Sequence, residues 1–225
     1  MPHTPYIVRK AKKKPELKGL WNGPAWSGAN VLDVASFRVE SSDHHPRTQV
    51  KLLYDHERIY GCFRVEDRYV RVVRTQYQDI TSRDSCVEVF LKPKRDKGYF
   101  ALEFNAGGTL LFYYITDSTR TPDAFKEYVK IPTEEWRLLE VYHSLPAKVE
   151  PEIQEPVEWL LEFSMPLSLM EKYAGPLGVL PGQEWTANSF KCGDETSHPH
   201  WASWMPVDHL NFHMPRCFGN ITFEP

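Results

Sequence analysis

Apolar and polar residues alternate with a period of two along several short stretches, which predicts β-strands with one apolar face each. In residues 100–104, Phe100, Leu102 and Phe104 fall on one face, whereas Ala101 and Glu103 fall on the other. Turn residues separate these stretches, so neighbouring strands are expected to pair as hairpins. The predicted strands are 50–54, 58–66, 85–93, 98–106, 109–115, 136–144, 157–165, 184–192 and 220–224.

Only residues 166–173 have a helical pattern, which begins at Pro166 and is ended by Gly175 and Pro176. Residues 146–156, rich in proline and glutamate, are predicted to form a surface loop, and residues 1–20 an N-terminal extension. Many short strands with turns between them are typical of an all-β sandwich or barrel. We therefore predict one β domain that spans residues 1–225.

Polar residues occupy the second face of several predicted strands. We predict that Glu88, Glu103, Asn105 and Lys191 emerge on the same side of one sheet and line a hollow beside Phe212. A plain solvent-facing sheet would explain the same alternation. Small residues on this face favour a groove, because an unconstrained exposed face usually carries longer polar side chains.

Composition excludes two classes of protein. The formal net charge of −3 lacks the basic footprint of a nucleic-acid binder, and we interpret the basic cluster in residues 9–14 as a solvated tail. No run approaches the ~20 apolar residues that a membrane span requires. The first residues also lack an apolar signal segment. We expect a cytoplasmic protein if Met1 is the native start, and an extracytoplasmic one if a signal peptide has been removed.

The four cysteines, Cys62, Cys86, Cys192 and Cys217, form no C-x-x-C pair. Three of them lie among apolar residues of predicted strands, where a free buried thiol is the ordinary state. Their spacing disfavours a cysteine-based zinc site.

Three stretches resemble motifs of a known family. Residues 53–67 begin Leu-Tyr-Asp and end Val-Glu-Asp, residues 84–91 read Asp-Ser-Cys-Val-Glu-Val-Phe-Leu, and residues 218–221 read Phe-Gly-Asn-Ile. In this order they resemble carbohydrate-binding module family 9 across residues 53–223. Segments 100–108 and 188–204 are most similar to its bacterial branch called family 9-like.

The resemblance implies a jelly-roll-like antiparallel β-sandwich that binds a small sugar or the end of a glycan chain without catalysis. Such modules hold a terminal sugar between two aromatic rings, with charged groups on its hydroxyls. The family's strand glutamate matches Glu88, and its second aromatic matches Phe212. Its first aromatic falls on Thr81, which cannot stack, and its arginine falls near Ala101 in a strand without arginine.

The resemblance also concerns cofactors and partners. It implies no cofactor except a structural calcium ion, for which Asp55 or Asp67 would supply oxygen ligands. It further implies a carbohydrate ligand and an association with a glycoside hydrolase.

Sugar recognition requires aromatic rings for the apolar sugar face and polar groups for the hydroxyls. Trp201 and Trp204 lie close in sequence to Phe212, and we favour Trp204 as the second stacking group. The predicted ligand-binding residues are Glu88, Phe212, Trp204, Lys191, Glu103, Asn105, Arg83, His198 and His213.

Two alternatives remain open from the sequence. Glu88 and Glu103 would suit a glycoside-active enzyme, in which paired carboxyl groups act as acid and base. His198 and His200 would suit a metal-dependent site.

Overall fold

The computed structural model describes residues 4–122 and 124–225. These residues form sixteen strands and two short α-helices. The helices are Thr133–Trp136 (α1) and Leu167–Ala174 (α2). In chain order the strands β1 to β16 are Tyr6–Lys10, Leu32–Val34, Ser36–Phe37, Arg47–Tyr54, Arg58–Asp67, Val70–Val72, Cys86–Lys92, Tyr99–Asn105, Leu110–Arg120, Phe125–Lys130, Glu140–His143, Val149–Ile153, Val157–Pro166, Glu184–Cys192, Trp201–Ser203 and Gly219–Phe223.

The strands build two layers, which confirms the predicted β-sandwich. The front sheet has the order β10-β9-β8-β7-β14-β16, and the back sheet has the order β4-β5-β13-β11. Strand β1 lies between β16 and β4 and pairs with both in parallel, so it joins the two layers. All other ladders among the described residues are antiparallel.

The segment predicted to be an N-terminal extension therefore supplies a strand of the sandwich. Tyr6 and Val8 are buried, and the hydroxyl of Tyr6 donates a hydrogen bond to the carbonyl of Asn30. The sequence hid this strand because it has only five residues and runs directly into a basic stretch.

The main core lies between the two sheets. Alternate residues of β7 and β8 point into it, including Val87 and Leu102, which are fully buried. Phe104 of the front sheet stacks on Phe163 of the back sheet at a centroid distance of 5.3 Å. Each large apolar side chain buried in this way contributes roughly 1.5–3 kcal/mol of stability.

The outer face of the front sheet is buried as well, which the alternating pattern did not indicate. Phe90 and Tyr99 on this face pack with Val207, Phe212 and other residues of segment 204–218, which folds back across the sheet and which we call the covering segment. We call the apolar residues that pack together here the outer cluster. Polar groups that the sequence placed on a wet sheet face therefore lie beneath a covering segment.

Some element bounds differ from the predictions. The predicted helix at 166–173 is confirmed as α2, which ends where Gly175 adopts the left-handed backbone region (φ 75°). The predicted loop 146–156 contains β12, which pairs with β6. The first residue of the predicted strand 136–144 belongs instead to the one-turn helix α1. The described residues include no helix with the length and hydrophobicity of a membrane span.

Candidate functional site

A cavity of about 490 Å³ opens between the outer face of the front sheet, the covering segment and the loops around Ser82 and Asp194. We call it the site cavity. Its aromatic walls are Tyr113, Phe125, Trp201 and Phe212, and its polar lining consists of Ser82, Glu88, Glu103, Arg120, Asp194, Asn211 and His213.

Glu88 and Glu103 form the polar floor. They lie directly opposite one another on the paired strands β7 and β8, so both side chains emerge on the outer face, as predicted. Both are nearly fully buried. Burial raises the pKa of Glu103 to about 8, although Arg120 opposes this shift, and raises the pKa of Glu88 well above its usual value. Burial therefore favours the protonated forms of these carboxyl groups over two adjacent anions.

Asp194, Trp201 and Ser82 form one side wall. The indole N–H of Trp201 donates a hydrogen bond to Oδ1 of Asp194 (2.8 Å), and the hydroxyl of Ser82 donates one to Oδ2 (3.0 Å). Burial raises the pKa of Asp194, while both hydrogen bonds lower it. The buried Thr81 beside this wall bonds the carbonyl of Glu103 and does not enter the cavity. Trp201 therefore lines the wall next to the position where Thr81 cannot stack.

Phe212 and His213 belong to the covering segment and also line the cavity. Phe212 stacks on Phe190 at 4.1 Å with an interplanar angle of 15°, so its ring is fixed in place. Nδ1 of His213 lies 3.0 Å from the hydroxyl of Tyr99. Burial lowers the pKa of His213 well below its usual value, so its contact with Glu103 (3.6 Å) joins two neutral groups.

Arg120 places a cation in the site cavity, although the strand to which the resemblance assigned the family's arginine contains none. The resemblance placed the family's arginine near Ala101 on β8, but Arg120 reaches the cavity from the far end of β9. Its guanidinium lies 4.4 Å from the centroid of Phe125, which faces it across the β9–β10 hairpin. No sequence pattern pointed to Arg120, because the register of the β9–β10 hairpin is needed to bring it to the cavity.

Lys191 lies on the other side of the sheet. It pairs with Val87, a core residue, whereas Phe190 pairs with Glu88. The predicted common face of Glu88 and Lys191 is therefore wrong by one residue in β14, and a one-residue change moves a side chain to the opposite face. Lys191 lies fully buried, 3.4 Å from Asp67 and 2.6 Å from Nε2 of His200.

Four further predicted residues lie outside the site cavity. Trp204 packs against the main core. His198 stacks on Tyr69 at 3.7 Å, and the exposed Arg83 pairs with Glu195 at 3.4 Å. Asn105 shares the outer face with Glu103 by register, but both its amide groups bond within the protein, to Asp84 and to backbone groups. Of the nine predicted residues, the cavity brings together Glu88, Glu103, Phe212 and His213.

The histidine pair does not offer a metal site. Both nitrogens of His200 are engaged, Nε2 with Lys191 and Nδ1 with the carbonyl of His198. Among residues 4–122 and 124–225, the one group of potential ligand atoms that come together includes neither His198 nor His200.

The two aspartates named for calcium do not fit that ion. Asp67 is hydrogen-bonded to His44 (2.8 Å) and Trp159 (3.1 Å), and the Lys191 ammonium already supplies a cation beside it. Both oxygens of Asp55 accept hydrogen bonds, from two backbone N–H groups of its turn and from a tyrosine hydroxyl. Calcium needs several free oxygen ligands around one point.

Known proteins share this architecture. The sequence model described as carbohydrate-binding family 9 matches residues 28–223. A Bacteroides uniformis protein, described as a candidate carbohydrate-binding protein, is similar with a TM-score of 0.83 and 24% identity, covering 97% of this chain and 98% of that chain.

A family 9 carbohydrate-binding module from Caldicellulosiruptor kristjanssonii is also similar. Its glucose complex gives a TM-score of 0.57 at 12% identity, covering 97% of this chain and 95% of that chain. Its cellotriose complex gives a TM-score of 0.59 at 12% identity, covering 97% and 93%. No curated protein sequence matches the chain.

Proposed function

The chain belongs to carbohydrate-binding family 9, and on that premise we propose that the site cavity binds a small sugar or the terminal residue of a glycan. Binding is non-catalytic in this proposal. Trp201 and Phe212 supply aromatic surface, and Glu88, Glu103, Asp194 and Arg120 supply hydrogen bonds.

One observation carries the proposal, namely that aromatic rings and carboxyl groups converge on a single cavity. A pyranose has apolar C–H faces that pack on aromatic rings and hydroxyls that need polar partners. The cavity volume of about 490 Å³ lies within the ~300–1,000 Å³ range of small-ligand sites. Similar modules are described in complex with glucose and with cellotriose, which supports the same ligand class here.

The protonation state of the floor also supports a neutral, hydroxyl-rich ligand. A carboxylic acid donates one hydrogen bond and accepts others, which matches a hydroxyl group that does both. Because burial raises the pKa of both Glu88 and Glu103, which favours their neutral form, a cationic ligand is not needed to balance their charge. The guanidinium of Arg120 would add a hydrogen-bond donor at the side.

The alternative is a glycoside-active enzyme with Glu88 and Glu103 as its acid–base pair. Their direct opposition across β7 and β8 favours this geometrically. However, glycosidases require one ionised carboxylate beside one acid. Burial raises the pKa of both groups, which disfavours the ionised partner. This chemistry favours binding over hydrolysis.

Calorimetric titration with glucose, cellotriose and a panel of other mono- and oligosaccharides tests the proposal. We expect saturable heat with at least one sugar, lost in Glu88→Gln and Trp201→Ala. The absence of heat with every sugar would overturn the proposal. Chromogenic glycosides test the alternative, because product release that disappears in Glu88→Gln would establish the enzyme. Association with a glycoside hydrolase stays a prediction.

A further inference from the structure

Two cysteines that are far apart in sequence become neighbours in the front sheet. Cys86 at the start of β7 lies directly opposite Cys192 at the end of β14. Both are free and buried, and both belong to the outer cluster. The sheet register therefore creates a pair of thiols that the sequence spacing concealed.

Glu88 completes a group of three potential ligands. It follows Cys86 by two residues and so emerges on the same face of β7. The thiol of Cys192 donates a hydrogen bond to Oε1 of Glu88 at 3.2 Å. The two sulfur atoms and this carboxylate oxygen all lie within 4.8 Å of one another.

This spacing agrees with the geometry of a tetrahedral ion. Zinc bonds of ~2.3 Å to sulfur and ~2.0 Å to oxygen separate adjacent ligand atoms by ~3.5 Å. Thiolates select thiophilic ions such as Zn²⁺ over Mg²⁺ or Ca²⁺. The donor types and their separations thus match one class of ion.

Glu88 and Cys192 line the site cavity, whereas the buried Cys86 is not part of its lining. An ion held by the three groups would therefore have protein on one side and the cavity on the other. Three protein ligands with one open coordination position are typical of zinc sites that exchange a water or bind a ligand.

We propose that Cys86, Cys192 and Glu88 bind a thiophilic divalent ion of the Zn²⁺ class, with its fourth coordination position directed into the site cavity. Binding releases the protons of the two thiols and of the carboxyl group to solvent, and two Zn–S bonds and one Zn–O bond form. Two thiolates and one carboxylate leave the loaded site with one net negative charge. Arg120 lines the same cavity, and its positive charge would balance this negative charge.

The proposal does not depend on sugar binding. Because Glu88 contributes to both sites, the loaded protein would present the open position of the metal, instead of the carboxyl group, to any ligand. Metal binding is therefore measured without sugar, and sugar binding is measured in metal-free protein with a chelator present.

Cobalt titration of the reduced, metal-free protein tests the site. We expect one Co²⁺ per chain, with a thiolate-to-cobalt charge-transfer band and the visible bands of tetrahedral Co²⁺, and Zn²⁺ should displace both. Cys86→Ser and Cys192→Ser should weaken Co²⁺ binding at least tenfold. Cys217→Ser is the matched control, because Cys217 is free, lies outside the group and should leave the spectrum unchanged.

A second variant keeps the test valid if the serine substitutions prevent folding. The double variant Cys62→Ala/Cys217→Ser retains only Cys86 and Cys192, so it should keep the full charge-transfer band. A band that disappears in this variant would assign the thiolates elsewhere and overturn the proposal. The absence of a band in the unmodified protein, or a Cys86–Cys192 disulfide that persists under reductant, would overturn it as well.

Discussion

The indole N–H of Trp201 is fixed to the carboxylate of Asp194 by a hydrogen bond of 2.8 Å. The same carboxylate accepts a hydrogen bond from the hydroxyl of Ser82. Asp194 thereby connects the tryptophan to the segment between β6 and β7. A ring held in this way loses little further freedom when a ligand packs on it, which favours binding. In the proposed binding mode, Asp194 would act on the ligand partly by orienting Trp201.

Trp201→Ala should weaken sugar binding at least tenfold, which corresponds to about 1.4 kcal/mol, because it removes an aromatic wall. Trp204→Phe is the control. Trp204 packs on the main core, near Tyr6, and lies outside the cavity lining. Calorimetry measures the sugar affinity of both variants. An equal loss of affinity in both would show that Trp201 acts only through the stability of the protein.

Arg120→Met should also weaken sugar binding, by about tenfold, because it removes a charged donor from the cavity while keeping an apolar side chain near Phe125. Arg83→Met should change the affinity less than twofold, since Arg83 is exposed and pairs with Glu195. Both variants would be compared in the same titration. A larger effect at Arg83 would place the ligand outside the site cavity.

Asp67→Asn should lower the free energy of unfolding by about 3–5 kcal/mol, because it leaves the ammonium of Lys191 buried without its anionic partner. Asp208→Asn breaks the exposed pair with Arg216 and should change the free energy of unfolding by about 0–1 kcal/mol. Urea unfolding of both variants measures the difference. Similar small effects would mean that water reaches Lys191.

The contribution of His200 to the stability of the protein should fall as the pH decreases through about 6.5, the pKa of an unperturbed histidine. Burial and the Lys191 ammonium lower the pKa of His200 to about 3, with Asp67 opposing and His44 adding to the shift. The unfolded chain then binds a proton at pH values where the folded protein does not. Protonation of His200 therefore favours unfolding at pH values between about 6.5 and about 3.

Urea unfolding at several pH values between about 7.5 and about 4.5 tests the contribution of His200. These limits lie on either side of the unperturbed histidine pKa of about 6.5. The free energy of unfolding of His200→Gln, relative to that of the parent protein, should rise towards low pH, because the variant lacks the histidine whose protonation favours unfolding. His56→Gln should show no such rise, because the side chain of His56 is 84% exposed. An identical pH profile for His200→Gln and the parent protein would refute the assignment.

Gly61→Ala should lower stability by about 1–3 kcal/mol, because the added methyl group would overlap the ring of Phe163, its cross-strand neighbour. Gly28→Ala is the matched control, since a methyl group there meets nothing within 4 Å. Thermal or urea unfolding compares the two. Equal stabilities would mean that Phe163 moves aside without loss.

Short-range patterns account for the parts of the fold that the sequence predicted. The alternation in 85–93 and 98–106 depends only on neighbouring residues, so both strands and their hairpin are confirmed. Strand β1 and the short strand β12 escaped prediction, because they are stabilised by distant partners rather than by their own pattern.

The candidate site was predicted only in part, for the same reason. The face of Glu88 and Glu103 followed from alternation within one hairpin. The face of Lys191 did not, because β14 meets β7 from nearly a hundred residues further along the chain and its register is set by packing. Arg120 reaches the cavity through the β9–β10 hairpin and Trp201 through the pairing of β15 with β14, and local sequence encodes neither register.

The sequence by itself determined the β-sandwich, the family motifs and the shared face of the two glutamates, because these depend on the two-residue period of a strand and on residues close in the chain. Tertiary structure alone decided that Cys86 meets Cys192, that Lys191 pairs with Asp67, and that Arg120 stands beside the glutamates. The physical reason is that side chains from distant strands share a site only after the register and the covering segment have been fixed by burial of the core.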